Sequence, residues 1–554
     1  MRRTIRYIFV MLPAALLWLP AGMLHAQRDT IRKEVRVVKP YEPSLSGARK
    51  ISITPVAGDT VKYHPEITYS ISPKPMMAPY VPRPIKPARL QAESVPKLYK
   101  SYLKLGFGNH ITPLLEFNMS SLRSKDHVVG MYVRSLSSYG DVKLNNGKKV
   151  DGNYGSLKGE LYGKKIFRYA TIDGSVYFRN DKNLYYGYAP QLDTSLVKDS
   201  IRQNYMNPGA LLGIHSTHAD SNHVNYSAAL RYDYFQDKYD HAQHGLDFTG
   251  SLFKVFSGKT IGFRSDVLYF NSDLYPAGTH DANITVEPWF YQSTSEWRLK
   301  ASIAATFDLT EGNTDIRLYP RIRFQFRIIP GYLQTYLGMD GRMEVNDYMT
   351  MTRINPFLKP GLYVGNTDRK MEFFLGLSGS LAPGTEYKVK GSFSLIDQMP
   401  FFINDTADVA GNRFIVAYDD VQLFRLSGEF TGRISEKFSL FLKGAYNNYS
   451  MSVLQKPWHK PPFEGSLGVK YSLQDKIVFR GDFSYTGKRY ATTPDMQVVR
   501  LDGYPDLNLG FEYRYRKILS FFLDFSNIFS VKYEPWHQFP TQGFFIMGGF
   551  TYSL

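Results

Sequence analysis

From residue 97 to residue 554 the chain consists of extended segments in which apolar and polar residues alternate. The segment 316–328 shows the pattern most clearly. One face carries Ile316, Leu318, Pro320, Ile322, Phe324, Phe326 and Ile328, and the other carries Arg317, Tyr319, Arg321, Arg323, Gln325 and Arg327. A helix would distribute these residues around its circumference, whereas a two-residue period separates them. The pattern predicts β-strands with one apolar face and one polar face.

The segments 477–486 and 519–526 repeat this alternation, although Phe522 interrupts the polar face of the second. Short turns are predicted at 167–169, 257–259, 330–331, 382–385, 435–437, 474–476 and 515–517. Longer connections are predicted at 140–153, 182–204, 272–283, 345–368, 397–420, 450–460, 490–502 and 530–540. Short turns that alternate with long loops are typical of a transmembrane β-barrel, whose strands need roughly 9 to 11 residues to cross a bilayer at a tilt.

The sequence therefore predicts an all-β fold, a transmembrane antiparallel β-barrel over residues 97–554. Counting back from a last strand at 541–554 gives about 22 strands, with about 20 or 18 as the alternatives. An even number places the start of the barrel and the C-terminus together on the periplasmic side. A soluble β-sandwich also alternates and is the alternative, but the strand lengths and the asymmetry of the connections favour the barrel.

Two further segments precede the predicted barrel. Residues 1–26 have the pattern of a secretory signal peptide, with Arg2, Arg3 and Arg6 ahead of an apolar run and a small-residue exit before Gln27. Residues 27–96 are rich in Pro, Lys and Arg, which favours an extended periplasmic tail over a packed domain. Within this tail the β-prone stretch Glu34, Val35, Arg36, Val37 and Val38 could add as a strand to the sheet edge of a partner.

The composition agrees with an exported barrel. Aromatic residues make up 15% of the chain, with 41 Tyr and 38 Phe, as expected for a wall with aromatic girdles at both interfaces. The absence of Cys excludes disulfides, thiol nucleophiles and Cys-based metal sites. The formal charge of +17 indicates contact with anionic lipopolysaccharide, anionic solutes or a basic lumen, because an exported chain rarely meets nucleic acid.

A basic stripe is the most informative group of candidate site residues. Arg317, Arg321, Arg323 and Arg327 share the polar face of 316–328, and Arg298 and Lys300 share the corresponding face of the preceding strand. Each would cost roughly 2–4 kcal/mol against lipid at the midplane, so the stripe is predicted to face the lumen. There it could favour anionic solutes. The alternative is that these cations pair with acidic residues of the lumen or with the tail.

Catalytic and metal-binding chemistry finds little support. Five histidines have spacings that suggest a metal site: His215, His218, His223, His241 and His244. However, positions 215 and 218 lie on opposite faces of a strand, and no carboxylate cluster joins them. These histidines are interpreted as polar residues at strand ends, and no metal or cofactor is predicted. Neither a Gly-x-Ser-x-Gly elbow nor a phosphate-binding Gly loop is present, which indicates that the protein is not an enzyme.

The C-terminal end resembles the TonB-dependent-receptor barrel family. The resemblance lies in residues 524–533, 533–536 and 540–543 and in the terminal strand, with Ile528, Gln542-Gly543 and Leu554 standing where the family usually has Leu, Gly-Arg and Phe. Residues 353–357 and 418–420 look like loop elements of plugless or short-plug relatives. The resemblance implies that the face formed by Phe544, Ile546, Phe550, Tyr552 and Leu554 is recognised by the barrel-assembly machinery.

The resemblance also implies contact with TonB, for which residues 34–38 resemble the coupling strand. Full receptors carry a plug ahead of the barrel, whereas only residues 27–96 stand there in this chain, so a short or missing plug is expected. Two functions follow. The first is solute uptake, binding or conduction, with specificity set by the loops 182–204, 345–368 and 397–420. The second is a structural or assembly anchor whose tail binds periplasmic or surface proteins.

Overall fold

A computed structural model describes residues 98–122, 124–188, 201–274, 281–310, 313–408 and 410–554. Their main feature is a single closed sheet of 22 antiparallel strands. The barrel strands are β1 (Ser101–Gly108), β2 (Thr112–Ser120), β3 (His127–Ser138), β6 (Tyr154–Ile166), β7 (Ala170–Leu184), β8 (Arg202–Ser216), β9 (Asn225–Gln236), β10 (Ala242–Phe256), β11 (Lys259–Ser272), β12 (Asp281–Ser293), β13 (Trp297–Thr310), β14 (Asn313–Ile329), β15 (Leu333–Glu344), β16 (Thr367–Gly379), β17 (Thr385–Asn404), β18 (Phe414–Arg433), β19 (Phe438–Met451), β20 (Phe463–Leu473), β21 (Ile477–Thr486), β24 (Tyr504–Arg516), β25 (Leu519–Ser526) and β26 (Phe545–Ser553).

Three short elements lie in the connections. The hairpin β4 (Asp141–Lys143) and β5 (Lys149–Asp151) follows β3, the helix α1 (Tyr348–Ile354) follows β15, and the hairpin β22 (Arg489–Thr492) and β23 (Val498–Leu501) follows β21. In the part of the chain that the structure describes, no helix is both long and apolar enough to cross a membrane.

The first and last strands close the barrel. β1 pairs antiparallel with β26 from Tyr102 opposite Ser553 to Gly108 opposite Met547. The backbones of Ser101 and Leu554 exchange two hydrogen bonds of 3.0 Å at the end of this seam. A Cβ on Gly549 would lie 2.0 Å from the carbonyl oxygen of Leu105, so only glycine allows this approach. The strand count is confirmed, and the start of β1 lies at the same end as the C-terminus.

The two faces of the strands separate as the alternation predicts. On β14, Ile316 and Leu318 are 63% and 66% exposed on the outside of the barrel, while Tyr319 is 2% exposed on the inside. The exception at Phe522 has a simple cause. Its ring faces the lumen and packs against Leu114 and Met547, forming a small apolar cluster near the closing seam.

The connections differ sharply between the two ends of the barrel. One end has the short turns 167–169, 257–258, 330–332, 380–384, 434–437, 474–476 and 517–518. The other end has the long loops, together with the short connections 109–111 and 237–241. The prediction that 397–420 forms a loop is wrong, because β17 and β18 pair as far as Asn404 opposite Phe414. Pro400 and the acidic pair at 419–420 mimic a loop, but a register shift between Ile396 and Met399 absorbs the irregularity.

One predicted strand boundary changes in position. The last strand begins at Phe545 rather than at residue 541, because residues 541–544 belong to the preceding loop. Ile546, Phe550 and Tyr552 lie on this strand, Phe544 precedes it, and Leu554 follows it. The predicted signal peptide and the tail, including residues 34–38, lie outside the described residues.

Candidate functional site: a loop cap above two charged cavities

Long loops from several sides of the barrel meet over the lumen. We call this assembly the loop cap. It comprises residues 139–153, 185–188, 345–366, 405–408, 410–413, 452–462, 487–503 and 527–544. Two clusters of buried apolar side chains join it, one centred on Leu358, Phe414 and Phe539 and the other on Tyr185. Because these residues come from distant parts of the chain, the cap is a tertiary core and not a set of independent loops.

The loop 345–366 occupies the centre of the cap. Asp347 begins α1 as its N-cap, with an Oδ1 that accepts a hydrogen bond of 2.6 Å from the backbone N–H of Thr350. Asn355 ends the helix because Pro356 disfavours helical backbone in the residue before it. Tyr348, Met349 and Met351 are buried. The short helix therefore presents apolar side chains to the barrel wall and to the other loops.

Hydrogen bonds tie one side of this loop to the strands β8 to β10 and their connection. Nε2 of Gln243 donates to Oδ2 of Asp347 at 2.8 Å, and the Tyr348 hydroxyl donates to Oδ2 of Asp237 at 2.9 Å. Nη2 of Arg353 donates to Oδ1 of Asn207 at 2.7 Å. These bonds hold α1 against one region of the wall.

The part of this loop after Pro356 is tied to β18 and to the connection between β7 and β8. Leu358 forms a β-bridge with Phe414 at the start of β18, and the Lys359 N–H donates to the Phe414 carbonyl at 2.8 Å. The Tyr185 hydroxyl donates to the carbonyl of Leu358 at 2.7 Å. Since β8 and β18 are separated by many strands, the loop bridges distant parts of the barrel rim.

Aromatic rings fill the middle of the cap. The rings of Phe357 and Phe539 stack with centroids 3.7 Å apart, and the ring of Tyr186 meets Phe539 edge-on at 5.0 Å. The Tyr186 hydroxyl donates to the carbonyl of Pro540 at 3.0 Å. Stacked and edge-on rings of this kind add stability beyond the apolar area that they bury.

A buried histidine links the loop 452–462 to the loop 527–544. Nδ1 of His459 lies 3.0 Å from the carbonyl oxygen of Phe402, and its Nε2 accepts from the His537 backbone N–H at 3.2 Å. A carbonyl can only accept, so these partners fix the neutral ring with its proton on Nδ1. Burial lowers the pKa of His459 from 6.5 to about 3, and the positive charges of Arg489 and Lys460 act in the same direction.

Acidification is expected to loosen the cap through His459. The pKa is lower in the closed cap than in an opened one, so the open state binds more protons between about pH 6.5 and about pH 3. Closure should weaken as the pH falls through that window, by up to about 1.4 kcal/mol per pH unit. Acrylamide quenching of the cap tryptophans Trp458 and Trp536 would measure it. His459→Gln should flatten the pH profile, and an unchanged profile would contradict this role.

Two carboxyl groups at the rim change the stability of the closed cap in opposite directions when the pH falls. Burial by itself would raise the pKa of Glu534, but hydrogen bonds from His537, Asn145 and the Gln538 backbone lower it, so Glu534 also loses stabilising interactions in acid. Burial raises the pKa of Asp237, which favours its protonated form in the closed cap and opposes the effect of His459. The His459→Gln comparison isolates the histidine from both.

Two lumenal cavities of opposite charge lie below the cap. The first, of about 560 Å³, lies beside α1 and is lined by four carboxylates (Glu160, Asp233, Asp247 and Asp347) and by Arg231 and Arg353. The second, of about 440 Å³, lies along β11 to β17 and is lined by seven Lys or Arg side chains and three carboxylates. We call them the acidic cavity and the basic cavity.

The residues of the predicted basic stripe separate into different environments. Arg321, Arg323 and Lys300 line the basic cavity. Arg317 lies nearer the cap and its Nη1 pairs with Asp368 at 2.6 Å. Nearer the short-turn end, Nη1 of Arg327 donates to the carbonyl of Ser295 at 2.6 Å, and Nε of Arg298 is buried without a partner among the described residues. The structure therefore brings three of the six stripe residues together in one cavity.

The cap has no counterpart in the pattern of the sequence. Tyr185, Tyr186, Phe357, Trp536 and Phe539 stand in segments interpreted as polar loops, and no period marks them as a core. The signal that could have found them is the presence of large aromatic residues where an exposed loop needs none. The predicted histidines instead make local contacts, such as His223 with Asp220 at 3.0 Å and His244 with the Tyr232 hydroxyl at 2.8 Å.

Solved structures with a similar fold include an import receptor and two metal transporters. The ferric-catecholate import receptor Fiu from E. coli K12 has a TM-score of 0.61 at 9% identity, with 82% of each chain covered. The FrpB iron transporter from Neisseria meningitidis has a TM-score of 0.63 at 8% identity, covering 83% of this chain and 82% of FrpB. The copper transporter OprC has a TM-score of 0.61 at 11% identity, covering 82% and 80%.

The barrel therefore shares its fold with an import receptor and two metal transporters. Identities of this size establish the architecture alone. No protein-family model matches the chain, and no curated protein matches it.

Proposed function

We propose that the protein is an outer-membrane uptake receptor, in which a solute enters the lumen from outside when the loop cap opens. The observation that carries this proposal is the cap itself. Hydrogen-bonded loops from distant strands cover the lumen, and two charged cavities lie beneath them. A barrel that served only as an anchor would need neither a buried polar network in its loops nor a cavity beneath them. The architecture shared with an import receptor and two transporters supports the same function.

In this proposal the chain is exported by residues 1–26, the long loops face the outside, and residues 27–96 extend into the periplasm. The segment 34–38 would engage TonB or another periplasmic protein by adding a strand to its sheet edge. Assembly by the barrel machinery through β26 and contact with lipopolysaccharide complete the proposed set of partners. A barrel of this width needs a closure if it is not to conduct, and the cap provides one candidate.

Planar bilayers that contain the purified full-length protein test the proposal. An uptake receptor with a movable cap is expected to show discrete openings that become more frequent when the pH falls from about 7 to about 5. A barrel that stays silent at both pH values, and that co-purifies with periplasmic proteins through residues 27–96, would instead be an anchor.

A further inference from the structure

We propose that the basic cavity binds a compact solute with several phosphate or carboxylate groups, and that Arg323 is its principal contact. This inference rests on the proposed uptake function and names the substrate class. It starts from the charge of the cavity: seven cationic side chains and three carboxylates line it, leaving an excess of four positive charges. The acidic cavity nearby has the opposite sign, so the excess is a local property and not a feature of the whole lumen.

The carboxylates of the basic cavity are already engaged. Arg321 pairs with Glu287 at 2.7 Å and with Asp340 at 3.2 Å. Glu372 pairs with Lys390 at 2.5 Å. Arg264 pairs with Asp266 and Arg342 with Glu344, two carboxylates that do not line the cavity. Four of the seven cations are therefore neutralised, and three are left for a ligand.

Three cations form this remaining group. Within the described residues, Lys300, Arg323 and Lys388 have no carboxylate within the 4.0 Å of a salt bridge, although all three line the cavity. Lys300 stands directly opposite Arg323 in the pairing of β13 with β14. Uncompensated charges placed side by side repel each other, and a bound anion would relieve that repulsion.

Arg323 is held in a geometry suited to an anion. Its guanidinium lies 5.0 Å from the ring centroid of Tyr336 and 6.0 Å from that of Phe374. Gly338, opposite Arg323 on β15, makes room for this arrangement, since a Cβ there would lie 2.7 Å from the Phe374 ring. Aromatic contacts of this kind engage the guanidinium without using its N–H groups, which bind carboxylate and phosphate in a fork.

The Pro-rich segment ahead of the barrel is a poor counterion for this cavity. Residues 27–96 contain twelve Lys and Arg against six Asp and Glu. A segment of net positive charge would add to the excess in the basic cavity and would not compensate it. The charge pattern therefore favours a small anionic solute over the chain's own N-terminal segment.

Calorimetric titration of the full-length protein in detergent with pyrophosphate, and separately with citrate, tests the assignment. Arg323→Gln is expected to weaken binding by about tenfold or more, because it removes a charged donor pair. Glu287→Gln keeps the shape of the wall and removes one of the two carboxylates that pair with Arg321. The loss of a negative charge from the cavity should tighten anion binding by about threefold or more. A gain of affinity is a result that a merely structural role of these residues would not produce.

Arg480→Gln is the matched control. Arg480 lies on the distant strand β21, pairs with Glu512 at 3.6 Å and does not line the basic cavity. The control should change binding by less than about twofold, since its charge is already compensated. Binding of either anion that depends on Arg323 supports the site, and the tighter one identifies phosphate or carboxylate chemistry. All variants must keep the heat-modifiable migration of a folded barrel.

Two results would overturn the assignment: no binding of either anion, or equal losses in Arg323→Gln and Arg480→Gln. If neither anion binds but the barrel still opens in planar bilayers, the anion-binding site is contradicted and the uptake function is still supported. If the protein binds anions but never conducts, the uptake function is contradicted and the assignment of the cavity as an anion-binding site is still supported.

Discussion

Replacing residues 347–364 with a short Gly-Ser linker is expected to raise solute flux through the reconstituted barrel by about tenfold or more, because a barrel of this width conducts unless something fills or covers it. The deletion removes α1, Phe357 and Leu358, which join the two apolar clusters of the cap. The other loops would lose their common partner. Swelling of proteoliposomes in isosmotic sugar or salt would measure the flux.

The barrel itself should survive this deletion. β15 and β16 pair from Gln334 opposite Ser378 to Glu344 opposite Thr367, and the replaced residues lie beyond that ladder. A control replaces the exposed tip 494–496 of the β22–β23 hairpin with Gly-Ser-Gly, where Met496 is 59% exposed. This control should leave the flux unchanged. A folded deletion variant with wild-type flux would show that the cap does not close the lumen.

Phe539→Ala is expected to open the cap while leaving the barrel folded. Phe539 is 1% exposed and contacts the rings of Phe357, Tyr186 and Phe414. Truncating a buried Phe costs about 3–5 kcal/mol through lost contacts and the cavity left behind. That cost corresponds to an increase of about a hundredfold or more in the opening equilibrium. Hydrogen exchange in residues 345–366, compared with exchange in the barrel strands, would measure it.

The same loop offers a matched control. Phe529 lies ten positions earlier in the sequence and is 51% exposed. Phe529→Ala should change the opening free energy by less than about 0.5 kcal/mol, because an exposed side chain loses little on truncation. Equal exchange in the two variants would mean that the ring cluster does not hold the loops together.

Local sequence determined the wall of this protein. In 316–328 every residue faces either lipid or the lumen, so an apolar residue indicates the lipid side and a polar residue the lumenal side. Two-residue periodicity therefore identifies the strand and the face on which each residue lies. Five of the seven predicted short turns contain Gly, Pro, Asp or Ser where the period stops, whereas 167–169 and 515–517 contain none of them and are marked only by the end of the alternation. The count of 22 strands follows from adding such segments along the chain.

The lumenal chemistry was only partly determined by sequence. Alternation grouped Arg317, Arg321 and Arg323 on one face, but it could not say which of them meets a carboxylate. Asp368 and Glu287, which pair with Arg317 and Arg321, come from other strands. Those pairings depend on the register of neighbouring strands, which fixes the partners across the sheet.

Only the tertiary structure decided the loop cap. Its core joins Tyr185, Leu358 and Phe539, which are separated by long stretches of chain and come from connections without any period. A strand residue has its environment set by the sheet, whereas a loop residue has its environment set by whichever distant loops reach it. For that reason alternation predicted the barrel, and the closure of its mouth could be found only in three dimensions.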